Sequence, residues 1–263
     1  MTDTVLLELN DGIARITLNR PEVHNAFDDA LIARLQELLE QLDQNPRVRC
    51  VALHGAGKSF SAGADLNWMQ AVAGYSQEQN QHDALALGEL LHTLYRLRKP
   101  TVAVVQGAAL GGGAGLVAAC DIALASEQAR FALSEIRLGL IPAVISPFVI
   151  AAMGTRATRR YALSGERFGA AEAHRLGLVQ QVLPDAELHD GAAALCRNLA
   201  TYSRETLAAV KDLIHAVSGR PIDGELLTET AARIAAQRVS APGREGISAF
   251  LEKRTPAWPD NPK

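Results

Sequence analysis

The sequence predicts a mixed α/β fold in which short buried strands alternate with helices and a purely helical segment follows. Three apolar runs, Cys50–Leu53, Thr101–Val105 and Ile122–Ala125, have the length and composition of buried strands. After Pro184 the helical patterns follow one another without an intervening strand. A chain of 263 residues that is 48% hydrophobic can bury one large core and carry an appendage.

The individual elements follow from hydrophobic spacing. Residues Val5–Leu9 and Ala14–Leu18 alternate on either side of Asn10-Asp11-Gly12, which predicts a β-hairpin. From Asp28 to Asp43 leucines recur at helical spacing opposite glutamate and glutamine, which predicts an amphipathic surface helix. The same criteria predict C-terminal helices over Leu188–Tyr202, Arg204–Ser218, Gly224–Ser240 and Arg244–Lys253.

Composition and charge argue against several classes of protein. A formal net charge of −3 gives no reason to expect nucleic acid or an anionic membrane as the main partner. The N-terminus lacks a basic start followed by a long apolar stretch, and the apolar windows are too short to span a bilayer. Three widely spaced cysteines and seven histidines match no metal-ligand spacing. We therefore expect a cytoplasmic protein with reduced cysteines and no metal.

Two glycine-containing segments, Phe60–Leu66 and Gly107–Gly115, each follow a predicted buried strand. The second opens an apolar helical run, Leu116–Ala119, so its N–H groups would lie at a helix N-terminus, where an anion is favoured. Tight turns or close packing are the alternative explanation for the glycines. A phosphate loop is disfavoured because no Lys-Ser or Lys-Thr follows, and the pattern is not the G-x-G-x-x-G of a dinucleotide-binding turn.

Five motifs occur in an order and spacing that resemble the crotonase (enoyl-CoA hydratase/isomerase) family. They are SAGADL, GAALGGG, ACDIALAS, FALSEIRLGLIP and GISAFLEKR. The resemblance implies a spiral of β-β-α repeats over residues 1–195, with the active site, and a helical trimerisation segment over residues 196–263. It also implies an acyl-CoA substrate, no separate cofactor, and a homotrimer or a dimer of trimers.

By the same resemblance, the backbone N–H groups of Ala64 and Gly112 form an oxyanion hole around the thioester oxygen. Such a hole is needed because proton removal near a thioester, or water addition across its conjugated double bond, puts negative charge on that oxygen; one donor contributes about 3–4 kcal/mol. Residues expected to bind substrate or its coenzyme A arm are Ala62, Ala64, Asp65, Leu66, Asn67, Gly112 and Lys253. For Lys253 a solvated salt bridge is the alternative.

Glu135 stands where hydratases and isomerases of the family carry a catalytic glutamate. It is bracketed by Phe131, Leu133, Ile136 and Leu138, and partial desolvation by such neighbours would raise its pKa toward the range useful for proton transfer. The alternative for the residue on its own is an exposed carboxylate on a strand or loop.

The chain departs from two-glutamate hydratases at two points. Gly115 occupies the position of their second glutamate, and Pro142–Phe148 replaces a glycine-rich run. Both features are shared with single-glutamate Δ3,Δ2-enoyl-CoA isomerases. The combination AGADLNWM, GGGAGL and IPAVISPF, however, is more similar to bacterial hydratases of 3-methylglutaconyl-CoA or isohexenylglutaconyl-CoA. We therefore predict an enoyl-CoA hydratase, with an isomerase as the alternative.

The acyl pocket is predicted to include Trp68, Gly115 and Phe148, with Met69 beside Trp68; packing in the core is the alternative for Trp68 and Met69. His82, Asp83 and Glu89, on the helix that follows the AGADLNWM loop, are weaker candidates for a second polar group in the site.

A noncatalytic or RNA-binding homologue is a less favoured alternative. The helix over Asp28–Asp43 carries five acidic residues against a single arginine, so RNA binding there should be weak.

Overall fold

The computed structural model describes residues 3–258, and the predicted mixed α/β fold is confirmed. The strands are β1 (Val5–Asn10), β2 (Ile13–Leu18), β3 (Cys50–Gly55), β4 (Thr101–Val105), β5 (Ala108–Leu110), β6 (Ile122–Ser126), β7 (Arg130–Ala132), β8 (Phe168–Gly169) and β9 (Gln181–Leu183). The helices are α1 (Asp29–Gln44), α2 (Leu66–Val72), α3 (Gln77–Arg96), α4 (Gly112–Ala119), α5 (Ser146–Ser164), α6 (Ala170–Arg175), α7 (Leu188–Ala200), α8 (Arg204–Val217), α9 (Gly224–Val239) and α10 (Ala241–Leu251).

A large sheet with the strand order β1-β2-β3-β4-β6-β9 forms the centre of the molecule. Only the hairpin β1-β2 is antiparallel within it; the pairs from β2 to β9 are parallel. A smaller sheet, β5-β7-β8, is linked to the segment after β3 through a parallel bridge between Ser61 and Ala109. The predicted hairpin and the three predicted buried strands are all present.

Both faces of the large sheet are buried at its centre, at β3, β4 and β6, which explains why these strands are continuous apolar runs instead of alternating ones. On β3, Val51 and Leu53 point into the main core, which α1, α3 and α4 complete. Cys50 and Ala52 point the other way, into a second cluster with Leu188 and Cys196 of α7. Helix α7 is therefore part of the core.

Helix α7 crosses the predicted division of the chain. The expected boundary between residues 195 and 196 falls inside α7 (Leu188–Ala200), whose apolar side covers β3, β4 and β6. The helical appendage instead begins with α8, after the cap residue Ser203. Residues 1–2 and 259–263 of the two predicted units lie outside the described residues.

The last helix begins earlier than the predicted Arg244. Helix α10 starts at Ala241, because the Ser240 hydroxyl accepts a hydrogen bond from the Gly243 N–H and Pro242 occupies the first turn. Proline is well tolerated there, since its missing N–H has no acceptor in the first turn of a helix. None of the described helices is both long enough and apolar enough to cross a membrane.

A buried lysine anchors the appendage to the large sheet. The Nζ atom of Lys211 on α8 donates to the Asp121 carboxylate at 2.7 Å and to the Lys99 carbonyl at 3.1 Å. The same Asp121 oxygen accepts hydrogen bonds from the backbone N–H and the hydroxyl of Thr101, at 2.7 and 2.9 Å. One carboxylate thus joins α8 to the start of β4 and the start of β6.

Replacing Lys211 with methionine should test this anchor. Methionine keeps much of the apolar stem but removes the ammonium, leaving Asp121 without its cation, so we expect a loss of about 2 kcal/mol in the free energy of unfolding. Urea unfolding followed by circular dichroism would measure it, with Lys58→Met, at an exposed position, as the control. Equal effects of the two substitutions would mean that the ion pair contributes no net stability.

Candidate active site

The two glycine-containing segments lie side by side and form one wall of a cavity. The Ser61 N–H donates to the Ala108 carbonyl at 2.9 Å, and the Leu110 N–H donates to the Ser61 carbonyl at 3.0 Å. An added Cβ on Gly63 would stand 2.8 Å from the Leu110 carbonyl oxygen, too close for any other residue. Gly63 also has a φ of +91°, which favours glycine. The backbones are therefore in direct contact.

The N–H groups of Ala64 and Gly112 are not used by these backbone pairings. Beside Ala64, the Phe27 N–H donates to Gly63 and the Asp65 N–H donates to Phe27, so the bridge uses the residues on either side of Ala64. Gly112 is the first residue of α4, where an N–H has no acceptor within the helix. Both residues line the same cavity, so the pair can bind an anionic oxygen there.

Asp65 holds the first loop in shape. Its carboxylate accepts from the Asn67 N–H at 2.8 Å, which caps α2, and forms an ion pair with Arg20 at 3.0 Å. Burial tends to raise the pKa of Asp65, but these hydrogen bonds and the Arg20 charge outweigh it and lower the pKa below its usual value. The Asp65 carboxylate is thus already engaged by hydrogen bonds and an ion pair within the protein.

Glu135 follows β7 in a short 3₁₀ turn, Glu135–Leu138, and its Oε1 lies beside Gly111 of the second glycine loop, 3.2 Å from where a Cβ on Gly111 would stand. Gly111, whose N–H donates to Ala132 at the end of β7, fixes the distance between that loop and the turn. Burial raises the pKa of Glu135, as the apolar neighbours predicted. Among the described residues, its buried Oε2 atom has no hydrogen-bond partner, so it is free to act on a bound molecule.

These groups surround a cavity of about 460 Å³ that is mostly apolar. The side chains that enclose it come from α2, α3, the 3₁₀ turn and the segment before α5. The lining residues are Phe27, Ala62, Gly63, Ala64, Leu66, Trp68, Met69, Val72, Asp83, Ala84, Leu87, Gly111, Gly112, Ser134, Glu135, Leu138, Leu140, Ile141, Pro142, Ala143, Val144 and Ile145. The predicted Glu135, Ala62, Ala64, Leu66, Trp68 and Gly112 are therefore brought together.

Five other predicted site residues do not line this cavity, among them Asp65, whose carboxylate pairs with Arg20. Phe148 packs edge-on against Tyr95, with 5.5 Å between the ring centroids. Asn67 is exposed on the first turn of α2, and Lys253 is exposed beyond the end of α10. Gly115 is buried in α4 behind Ile145, which itself lines the wall. Neither Gly115 nor Phe148 is therefore part of this cavity wall, because Ile145 covers Gly115 and the Phe148 ring packs against Tyr95.

Sequence reasoning missed several wall residues. Phe27 comes from the loop before α1 and packs under Gly112, where an added Cβ would stand 2.6 Å from its ring. The sequence indicates for Val144 and Ile145 only that they belong to Pro142–Phe148, the segment that replaces a glycine-rich run. Apolar side chains that reach a cavity from a distant loop have no local signature, so only the tertiary structure reveals them.

The contact between Gly115 and Ile145 gives a test of the wall. A Cβ at position 115 would stand 2.4 Å from Ile145 Cγ2, so Gly115→Ala should cost about 1 kcal/mol of stability after its helix-propensity gain is included. Ile145→Ala alone should cost about 2–4 kcal/mol. The double substitution removes the clash, so the two effects should couple favourably by at least about 0.5 kcal/mol. Strictly additive unfolding free energies would show that Ile145 can move aside without cost.

Comparison with known proteins identifies the protein family to which this chain belongs. A sequence profile of the enoyl-CoA hydratase/isomerase family matches residues 8–261. A solved enoyl-CoA hydratase from Shewanella pealeana is 45% identical, with a TM-score of 0.94, and the match covers 97% of this chain and 96% of that one.

Two curated relatives carry different activity names. The 1,2-epoxyphenylacetyl-CoA isomerase of Escherichia coli is 36% identical over 98% of this chain and 99% of its own. The hydroxycinnamoyl-CoA hydratase-lyase of Pseudomonas fluorescens is 36% identical over 79% of this chain and 76% of its own.

The fold, the paired glycine loops and these matches together show that the chain belongs to the enoyl-CoA hydratase/isomerase family.

Proposed function

We propose that this protein is an enoyl-CoA hydratase, which adds water across the double bond of a 2-enoyl-CoA thioester. The observation that carries the proposal is the meeting of two free backbone N–H groups and one desolvated carboxylate, Glu135, in a single apolar cavity. Backbone donors suit a thioester oxygen that becomes negative during the reaction. An apolar cavity suits an acyl chain.

In the proposed reaction, the N–H groups of Ala64 and Gly112 donate to the thioester oxygen. Glu135, in its ionised form, orients a water molecule and accepts its proton as the oxygen bonds to C3. Electrons of the double bond move to the thioester oxygen, giving an enolate that the two donors stabilise. Glu135 then returns the proton to C2, so water is added and the carboxylate is regenerated. This chemistry requires no metal and no cofactor beyond the coenzyme A of the substrate.

A Δ3,Δ2-enoyl-CoA isomerase is the second candidate, because an isomerase needs one carboxylate to move a proton and Gly115 provides none. The two activities differ in product. A hydratase consumes the absorbance of a 2-enoyl thioester, whereas an isomerase generates that absorbance from a 3-enoyl thioester.

The branched 3-methylglutaconyl group predicted from the sequence is a narrower proposal within this class. The motifs AGADLNWM, GGGAGL and IPAVISPF support it. The cavity wall argues against it, because its described lining residues include two carboxyl groups and no cation.

Reduced cysteines in the described chain fit the further proposal of a cytoplasmic location.

Assembly into a homotrimer, or a dimer of trimers, is also a proposal. Helices α8, α9 and α10 expose large apolar side chains, among them Ile214 at 55% and Phe250 at 82% of their surface. Such surface is unfavourable in water and is commonly covered by another subunit.

Substituting Glu135 with glutamine should abolish most turnover. Glutamine keeps the size and the hydrogen-bonding reach but cannot take a proton, so kcat should fall at least about a hundredfold while substrate affinity changes little. Steady-state hydration of crotonyl-CoA, with loss of its conjugated absorbance, would measure this. Exposed Glu127→Gln is the matched control. Wild-type turnover that appears only with a 3-enoyl thioester would instead favour the isomerase.

The pH dependence gives a second readout of Glu135. Because burial raises its pKa and only the ionised form accepts a proton, kcat/KM should decline with falling pH already above about 4.3, where an ordinary glutamate titrates. A profile that stays flat down to that pH would contradict the role of Glu135 as the base.

Light scattering should test the assembly. We expect a mass equal to three or six chains at micromolar concentration, and a double substitution Ile214→Lys with Phe250→Lys should lower it, because two cations would be buried in the interface. Ile222→Lys, at an exposed site in the loop before α9, serves as the control. A stable monomer of the unsubstituted chain would contradict the proposal.

A further inference from the structure

The charges on the wall of the acyl cavity are unevenly distributed. Among the described lining residues, the titratable side chains are the carboxyl groups of Asp83 and Glu135, and no lysine, arginine or histidine is present. Arg137, the nearest cation along the chain to Glu135, is exposed and donates from Nε to the Gly165 carbonyl at 2.9 Å. A negatively charged group in the cavity would therefore meet carboxyl groups without a compensating cation.

Asp83 has a second acidic neighbour behind it. It lies on α3 in the wall of the cavity, and Asp29, the first residue of α1, lines a neighbouring surface depression together with Asp83. Burial and the Asp29 charge together raise the pKa of Asp83, and the neighbouring Trp68 indole and the His82 charge only partly oppose this. Even with one of two neighbouring carboxyl groups protonated, the pair retains one negative charge.

From this arrangement we infer that Asp83 is a specificity-determining residue that restricts the substrate to acyl-CoA thioesters with an uncharged acyl chain and rejects chains ending in a carboxylate. The inference rests on the proposed function, since it assumes that the acyl group occupies this cavity. A 3-methylglutaconyl group carries such a carboxylate, so it would be excluded. Rejection by repulsion, with an apolar wall for the accepted chain, is a common basis of specificity.

Binding of two saturated thioesters tests the inference. Hexanoyl-CoA and adipoyl-CoA have six acyl carbons each and differ at the end of the chain, a methyl group against a carboxylate. Neither has a double bond, so the comparison is independent of whether the enzyme is a hydratase or an isomerase. By calorimetry at neutral pH, we expect hexanoyl-CoA to bind at least about tenfold more tightly than adipoyl-CoA. The terminal carboxylate of adipoyl-CoA would be repelled by the negative charge at Asp83, and repulsion is strong in a partly desolvated site.

Substitution of Asp83 then assigns the effect to one residue. Asp83→Asn keeps the shape and removes the charge, so it should reduce the preference for hexanoyl-CoA at least about threefold, chiefly by improving adipoyl-CoA binding. Glu89→Gln is the matched control, because it removes an acid from the same helix but lies outside the cavity. Should Asp83→Asn fail to bind hexanoyl-CoA, the smaller Asp83→Ser provides the same comparison.

The outcomes separate this inference from the proposed function. Equal affinity of the unsubstituted protein for the two thioesters, or an equal shift in Asp83→Asn and Glu89→Gln, would overturn the role of Asp83 and leave the proposed function standing. Failure to bind hexanoyl-CoA more tightly than free hexanoic acid would instead overturn the recognition of coenzyme A thioesters on which both rest.

Discussion

The close contact between two glycine-bearing loops is the constraint on which the site depends. Hydrogen bonds between Ser61 and the strand Ala108–Leu110 hold the loops together, and the missing side chain of Gly63 lets the backbones meet. Through Gly111, the second loop is tied to the strand that leads to Glu135. A single set of backbone contacts therefore determines the spacing of the Ala64 and Gly112 N–H groups and the Glu135 carboxylate, the three groups on which the proposed reaction depends.

Much of the fold could be predicted from the sequence because its signals are local. Hydrophobic runs such as Thr101–Val105 coincide with strands, and the leucine spacing after Asp28 coincides with α1. The division of the chain could not be predicted in this way. Helix α7 has the same amphipathic pattern as α8, but it covers the sheet while α8 leaves much of its apolar side exposed. The pattern of a helix indicates that one face is apolar and does not indicate its partner.

The same distinction applies to the candidate site. Glu135 and the two glycine loops could be predicted because their motifs resemble those of a family and are continuous in sequence. For Gly115 the motif could not indicate that Ile145, from a different segment, separates this helix position from the cavity. Asp83 was only a weak candidate, since its significance comes from the absence of cations among the lining residues, a property that no single segment carries.

In the proposed site, backbone groups and side chains have different roles, and this has a consequence for how substrate preference could evolve. In the proposed reaction the groups that stabilise charge on the substrate belong to the main chain, whereas the side chains of Trp68, Asp83, Val144 and Ile145 line the cavity proposed for the acyl group. Drift or laboratory selection at those wall positions can alter which molecule is accepted while the means of activating it is inherited unchanged. Libraries that vary the wall and spare residues 61–64 and 107–113 should therefore be rich in folded, reactive variants with new preferences.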